Sequence, residues 1–155
     1  MVNRINIKLD LFIKCNFKGS NCGISKTYYI SKVLRLNWHE SFLSCRSLGL
    51  DLLSLNTIDE YKNFQSIYQK SQSDFDPNNF IGGTKMGSDK WYWVASGAVL
   101  NYEFNWQQNQ PDNAGGNELC LELVKNTTKF EINDFACDSL IRFQKYICEK
   151  TLYRI

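Results

Sequence analysis

The sequence predicts a single α+β domain, and three of its features lead to that prediction. The chain has 155 residues, 43% of them hydrophobic, which suits one compact core and is too short for two ordinary domains. Two segments with helix-start signals lie in the first half of the chain, and strand-like segments dominate its last third. A long aromatic-rich segment without sustained periodicity separates them, which is typical of a functional loop.

The first predicted helix begins at a capping box. A strand rich in β-branched and aromatic residues is predicted before it, at 27–34. Asn37 and Glu40 have the spacing that satisfies two backbone donors at a helix start, and Gly49 ends the helix. We expect the apolar side of this helix to face the core. The side chains near that face are Trp38, Phe42, Cys45 and either Leu43 or Leu48.

A second capping box, Thr57 with Glu60, opens the other predicted helix. Its apolar residues repeat at helical spacing and are Tyr61, Phe64, Ile67 and Tyr68. Polar residues and Pro77 end it, and FIGG at 80–83 then resembles a short buried strand.

The long loop runs from about Met86 to Asn117. Its tryptophans need a packing site, so we expect Trp93 and Trp106 in the core, whereas Trp91 is open between core and ligand contact. Three strands follow the loop, and they are predicted at 119–124, 129–135 and 143–149.

Charge gives little information about partners. Lysine and arginine number 18 against 16 acidic residues, so no broad field of one sign predicts nucleic-acid binding. Every apolar run is far shorter than the roughly 20 residues that cross a bilayer, and we expect no membrane insertion. Charged residues within 1–14 also make this segment unlike a secretory signal peptide.

The six cysteines form an even set without the two-residue spacing of zinc knuckles or redox motifs. Four of them lie in apolar segments, where disulfides can supplement a core; they are Cys45, Cys120, Cys137 and Cys148. Cysteine usage therefore predicts an oxidised, extracellular protein. The sequon at Asn126 is a candidate N-glycosylation site and agrees with secretion.

Five oxygen-bearing side chains form the candidate site: Gln110, Asp112, Glu118, Asn133 and Asp134. Three carboxylates and two amides suit Ca²⁺, which takes six to eight oxygen ligands, whereas Zn²⁺ prefers histidine or cysteine. A calcium ion held in this way leaves positions to which two neighbouring sugar hydroxyls can bind. The acid and the amide that flank Pro111 set the order of acceptor and donor offered to that diol.

Tyr28 to Glu149 resembles a C-type lectin domain, and the resemblance covers nearly four fifths of the chain. The matching segments are WHESFLSCRSLGLDLLSL at 38–55, FIGG at 80–83, WYWVASG at 91–97, NWQQNQPDN at 105–113, ELCLEL at 118–123, INDFAC at 132–137 and KYICE at 145–149. Their order and spacing together are highly specific. The resemblance implies two helices flanking small antiparallel sheets and a long calcium-binding loop.

The resemblance also implies disulfides from Cys45 to Cys148 and from Cys120 to Cys137, with Cys15 and Cys22 forming an extra N-terminal bridge. It divides the chain into an N-terminal extension at 1–26, a carbohydrate-recognition domain at 27–150 and a tail at 151–155. Ile132 stands where the family commonly has tryptophan, and we expect it to keep that residue's packing role.

Carried over residue by residue, the family's calcium and sugar ligands are Gln110, Asp112, Glu118, Asn133 and Asp134. Gln-Pro-Asp is the family's galactose-type triplet, and Glu-Pro-Asn is the mannose-type one. The galactose binders that match best carry an aromatic ring just beyond the triplet, where this chain has Asn113-Ala114-Gly115-Gly116. Galactose is therefore the favoured sugar on the triplet alone.

The leading hypothesis is a calcium-dependent lectin for galactose-type glycans, acting in soluble recognition or defence. Weak single sites usually act together, so a homo-oligomer is a further expectation. The alternative is a protein-binding module of the same fold with weak or no sugar binding. A carboxylate-based hydrolase is a weaker hypothesis, since calcium would neutralise the acids. We expect no enzyme activity, and the one histidine, His39, is expected at the surface.

Overall fold

The computed structural model describes residues 5–14, 23–32, 36–141 and 144–154, with side chains described for 25–32, 36–141 and 144–152. The elements in chain order are β1 (Ile5–Lys14), β2 (Gly23–Ser31), α1 (Trp38–Ser47), β3 (Asp51–Leu52), α2 (Ile58–Lys70), β4 (Asn78–Thr84), β5 (Tyr92–Trp93), β6 (Cys120–Val124), β7 (Glu131–Phe135) and β8 (Lys145–Arg154). Two helices and a sheet confirm the predicted α+β class. Cys15 and Cys22 lie outside the described residues, so their predicted bridge stays a prediction.

The strands join in one path with the order β1-β2-β8-β4-β6-β7, while β3 also pairs with β8 and β5 with β4. Neighbours are antiparallel except for β4 and β8, which run parallel at Asn79–Phe80. Strand β8 is therefore the junction between an N-terminal group of strands and the group that carries the candidate site. The predicted domain boundaries at 26 and 150 stay predictions.

The two capping boxes differ in outcome. At α1, Asn37 Oδ1 accepts from Glu40 N at 2.8 Å, and Glu40 Oε2 accepts from Asn37 N at 2.9 Å, as predicted. At α2, Thr57 accepts from Glu60 N at 3.2 Å, but the Glu60 carboxylate turns to Asn56 N instead. The second box is half formed because Glu60 also binds a buried lysine, described below.

The buried face of α1 also differs from the expectation. Trp38 and Cys45 are buried, yet Leu43 is 63% exposed and Leu48 is 44% exposed. Small Ser41 and Ser44 occupy the inner face in their place. The Ser44 hydroxyl lies 2.6 Å from the Tyr146 hydroxyl, a hydrogen bond that brings the helix close to β8.

Two buried clusters form the core. The larger one packs α2 against the sheet through aromatic side chains and includes Trp93 and Ile132, as expected; Trp106 packs against it partly buried. The smaller one surrounds Trp38 and both disulfides. Gly83 allows β4 and β6 to approach, since a Cβ there would lie 2.3 Å from Leu121 Cδ1.

Both disulfides implied for the described cysteines are present. Cys45 pairs with Cys148 and Cys120 pairs with Cys137, at sequence separations of 103 and 17 residues. The first joins α1 to β8, and the second fixes the chain after β7 against the start of β6.

A buried ion cluster joins β2, α2 and β8. Lys26 is 1% exposed, and its Nζ lies 3.0 Å from Glu60 Oε2 and 3.1 Å from Glu149 Oε2. It also donates to the Ser54 carbonyl at 2.8 Å. Burial raises the pKa of the Glu149 carboxyl above its ordinary value, and Lys26 opposes that rise. One ammonium thus serves two buried carboxylates.

Replacing this lysine tests the cluster. Lys26→Met keeps much of the volume but leaves two buried carboxylates without a cation, so we expect a loss of about 3–5 kcal/mol in the free energy of unfolding. Urea denaturation measures it, with the exposed Lys90→Met as the matched control. A loss below about 1 kcal/mol, the size found for surface pairs, would contradict the ion cluster.

The disulfides predict an order of stability. In the loop-entropy relation, the bridge across 103 residues is worth about 4.7 kcal/mol and the one across 17 residues about 3 kcal/mol. We therefore expect Cys45→Ala/Cys148→Ala to lower the denaturation midpoint more than Cys120→Ala/Cys137→Ala does. The reverse order would show that local packing around each disulfide, and not the length of the loop it closes, determines its contribution to stability.

Candidate functional site

The candidate site lies where the loop after β5 meets β7. Carboxylate oxygens of Asp112, Glu118 and Asp134 all lie within 4.8 Å of one another. Asp112 is exposed, Glu118 half-buried and Asp134 buried at 1% exposure. Like charges this close repel, and burial adds to their cost, so a cation is the partner that such a group stabilises best.

Backbone amides hold the loop against Asp134. Its Oδ1 accepts from Asp112 N at 3.2 Å and its Oδ2 from Asn113 N at 2.9 Å. Asp134 itself is fixed by β7, where it lies opposite Leu121 of β6. One buried carboxylate thus sets the position of the loop that carries the other two.

The tip of the loop is a tight turn. Asn113 has a left-handed backbone with φ of 47°, which asparagine tolerates better than most residues. Its Oδ1 accepts from Glu118 N at 3.0 Å, and Ala114 N donates to Glu118 Oε2 at 3.0 Å. Sequence reasoning missed this role of Asn113. The signal for it was an asparagine followed by small residues and glycines.

Burial raises the pKa of the Glu118 carboxyl above its ordinary value. The bond from Ala114 N lowers it, and the nearby charges of Asp134 and Asp112 raise it. The Glu118 carboxylate is therefore destabilised by repulsion from the carboxylates of Asp112 and Asp134.

The two predicted amide ligands flank the carboxylates in different ways. Gln110 precedes the turn, its Oε1 accepts from Asp112 N at 3.0 Å, and its peptide bond to Pro111 is cis. Asn133 precedes Asp134 in β7. Its Nδ2 donates to Glu122 Oε1 at 2.9 Å, whereas its buried Oδ1 has no hydrogen-bond partner among the described residues.

The donor set fits calcium. Asn133 has committed its nitrogen, so the oxygen is what it can offer, and a hard cation takes oxygen. Buried polar atoms without a partner are rare and need an explanation. The three carboxylates add oxygen donors and no nitrogen or sulfur, which favours Ca²⁺ over Zn²⁺.

Glu122 lies next to the site and accepts a hydrogen bond from the Asn133 side chain. Sequence reasoning missed this residue. It is fully buried on β6 and accepts from three amides. They are Asn78 Nδ2 at 3.1 Å, Asn133 Nδ2 at 2.9 Å and Gln144 Nε2 at 3.2 Å. An acid inside the apolar strand ELCLEL was the signal for a buried polar network.

A cavity of about 210 Å³ adjoins the carboxylates and is lined in part by Lys85, Trp91, Glu118 and Asp134. Trp91 is half-buried, with its ring centroid 6.0 Å from that of Trp106 and Lys85 Nζ 5.8 Å from its own. It therefore packs on the core with one side and lines the cavity with another. His39 is exposed, as expected.

The sequon residue Asn126 is half-buried in the turn between β6 and β7, where its Nδ2 donates to Glu131 Oε1 at 3.0 Å. Its glycosylation stays a prediction. Within the described residues, no helix combines the length and apolar character that crossing a bilayer requires.

Fold and site together define a disulfide-linked α+β domain that presents a candidate cation site on a long loop. The family model described as "Lectin C-type domain" matches residues 34–150. The chain belongs to the C-type lectin domain family.

Several C-type lectins are similar in sequence or structure to this chain. The chain is 28% identical to C-type lectin 37Da of Drosophila melanogaster, over 95% of this chain and 76% of that protein. It is 32% identical to C-type lectin 37Db of the same organism, over 80% and 77% of the two chains. A solved structure of the mouse scavenger receptor C-type lectin carbohydrate-recognition domain aligns with a TM-score of 0.63 and 28% identity, covering 81% of this chain and 89% of that one.

The role of Asp134 in shaping the loop is testable without metal. Asp134→Ala removes the acceptor of the Asn113 amide, whereas the Asp112 amide keeps Gln110 Oε1 as a second acceptor, so in the presence of chelator we expect faster hydrogen exchange at Asn113. Mass spectrometry or NMR of the folded variant measures it, with the exposed Asp138→Ala as control. Equal protection in both variants would show that other contacts hold the loop.

Proposed function

We propose that this domain is a calcium-dependent lectin that favours galactose-type sugars and works outside the cell. The observation that carries the proposal is the convergence of three carboxylates within 4.8 Å beside an amide oxygen that lacks a partner. Membership of a lectin family and two buried disulfides support it.

The residues that would hold the ion are Gln110, Asp112, Glu118, Asn133 and Asp134. Bound calcium would supply open coordination positions for two vicinal sugar hydroxyls. The same side chains then contribute hydrogen bonds, because carboxylates accept from hydroxyls whereas amide groups can also donate to them.

The proposed preference for galactose rests on the order of the amide and the carboxylate that flank Pro111. Gln110 places an amide before Pro111, and Asp112 places a carboxylate after it. Exchanging them reverses the pattern of donor and acceptor offered to the diol, although the charge of the pair stays the same. The sugar whose hydroxyl arrangement matches one order would therefore match the other poorly.

The absence of an aromatic ring at Asn113-Ala114-Gly115-Gly116 favours the alternative, a protein-binding module of the same fold. A galactose ring loses a stacking contact there. The two functions make opposite predictions for sugar retention, so a single chromatography series separates them.

We expect the domain to be retained on immobilised galactose in calcium and released by chelator. Glu118→Gln should abolish retention, because it removes one of the three charges that hold the ion, whereas the exposed Asp89→Asn should not. The double variant Gln110→Glu/Asp112→Asn, which conserves charge, should move retention from galactose to mannose.

Wild-type retention on mannose would keep the calcium site and overturn the galactose preference. Retention on neither sugar by folded protein would favour the protein-binding module. A rise in melting temperature with calcium, lost in Glu118→Gln, would show whether the ion binds in that case.

A further inference from the structure

A lysine side chain lines the cavity beside the candidate site. Lys85 directly follows β4, and its backbone nitrogen donates to Leu119 O at 2.8 Å, next in sequence to Glu118. The cavity of about 210 Å³ is lined by this lysine and also by Glu118 and Asp134. A cationic side chain and two carboxylates of the site therefore border the same space.

The Lys85 ammonium contacts an aromatic ring, with its Nζ 5.8 Å from the ring centroid of Trp91. The ammonium takes part in none of the ion pairs or hydrogen bonds found among the described side chains. An ammonium has three donors, and an aromatic face satisfies them less well than oxygen atoms do. This half-buried cation therefore retains the capacity to bind an anion that offers oxygen.

The two acids that border the cavity already have other partners. Asp134 accepts from Asp112 N and Asn113 N, and Glu118 accepts from a further amide of the same loop. In the proposed function both acids also bind calcium, and the charge of a bound ion has to be counted in its site. The charges of three carboxylates, one calcium ion and one lysine sum to zero. An anionic ligand would therefore meet no net repulsion in the loaded site.

The rest of the lining suits the carbon frame of a sugar. Trp91, Pro111 and Leu119 contribute apolar carbon to the cavity. Pro111 also lies between Gln110 and Asp112, the two side chains whose order the proposed sugar preference depends on. A sugar held by the ion would thus lie beside the cavity.

We propose that this cavity is an accessory subsite for an anionic substituent of the bound sugar. The preferred ligand is a galactoside that carries a sulfate or a carboxylate on its exocyclic carbon, and Lys85 determines that preference. The inference rests on the proposed function, since calcium would hold the sugar ring. A charge on the exocyclic carbon leaves the ring hydroxyls free to bind the ion, and Lys85 gives the substituent a charge-assisted hydrogen bond.

Binding of defined galactosides at saturating calcium tests the proposal. The probes are methyl galactoside, its sulfate ester at the exocyclic hydroxyl, and methyl galacturonide, which carries a carboxylate on the exocyclic carbon. We expect wild type to bind an anionic probe about tenfold more tightly than the neutral one, the effect of one charge-assisted hydrogen bond. Calorimetry or ligand-observed NMR measures the dissociation constants. A gain for either anionic probe supports the subsite and identifies its anion.

Substitutions of the lysine test its role. Lys85→Met removes the charge and keeps the unbranched stem, so the ratio of the neutral to the anionic dissociation constant should fall to about one. Lys85→Arg keeps the charge and should retain a preference for the anion. Lys90→Met, at an exposed lysine of the same loop, should leave the ratio at its wild-type value. Circular dichroism checks that each variant is folded.

Equal affinity of wild type for neutral and anionic galactosides would overturn the subsite and leave the proposed function in place. A preference that Lys85→Met retains would also overturn it, since general attraction to the protein's positive charge would then explain the ratio. If wild type binds mannosides and no galactoside, the galactose preference is wrong, and methyl mannoside with its sulfate ester decides the subsite. Folded wild type that binds neither sugar in calcium would overturn both proposals.

Discussion

The fold depends on the strand pairings, the disulfide and the ion pair that link β8 to the other elements. This strand pairs with β2 on one side and β4 on the other, receives β3, and carries Cys148 and Glu149 at consecutive positions. Cys148 ties it to α1, and Glu149 ties it to Lys26 of β2 and, through that lysine, to Glu60 of α2. A buried ion pair adds little net stability compared with apolar packing, but it penalises any arrangement that separates its partners. Arrangements that separate β2, α2 and β8 would leave these buried charges unpaired and are therefore disfavoured.

The route from that scaffold to the candidate site is short and rigid. Strand β4 runs beside β8 and packs closely on β6 at Gly83, where a side chain would collide with Leu121 Cδ1. At Gly82 a side chain would collide with Leu53 O, on the chain that follows β3. Strand β7 pairs with β6 over its whole length and ends beside the disulfide to Cys120. Asp134 is therefore placed by the sheet and not by the loop. The loop adapts to it through two backbone hydrogen bonds.

Local signals in the sequence were enough for the helices, the buried strands and the long loop, because capping residues and periodicity act over a few residues. They failed where one residue has two tasks or where a partner is distant. Glu60 has the spacing of a capping box, but Lys26, 34 residues earlier, recruits its carboxylate. Strand β1 was assigned to an extension, although its alternating pattern is that of a strand. The chemistry of the five side chains suggested a calcium site, but the resemblance was needed to support their convergence, since spacing alone does not bring residues 112 and 134 together.

The candidate site and the buried ion cluster both bring carboxylates close together, but only the ion cluster contains a positively charged side chain that compensates them. In the cluster, two buried carboxylates share a cation that the chain itself supplies, so the charge is compensated whenever the protein is folded. In the site, three carboxylates within 4.8 Å have backbone amides as hydrogen-bond donors, and amides carry no net charge. Hydrogen bonds stabilise each anion but leave their mutual repulsion. The buried carboxylates of the ion cluster are thus neutralised by the lysine of the chain itself. The uncompensated negative charge lies at the three carboxylates of the loop site.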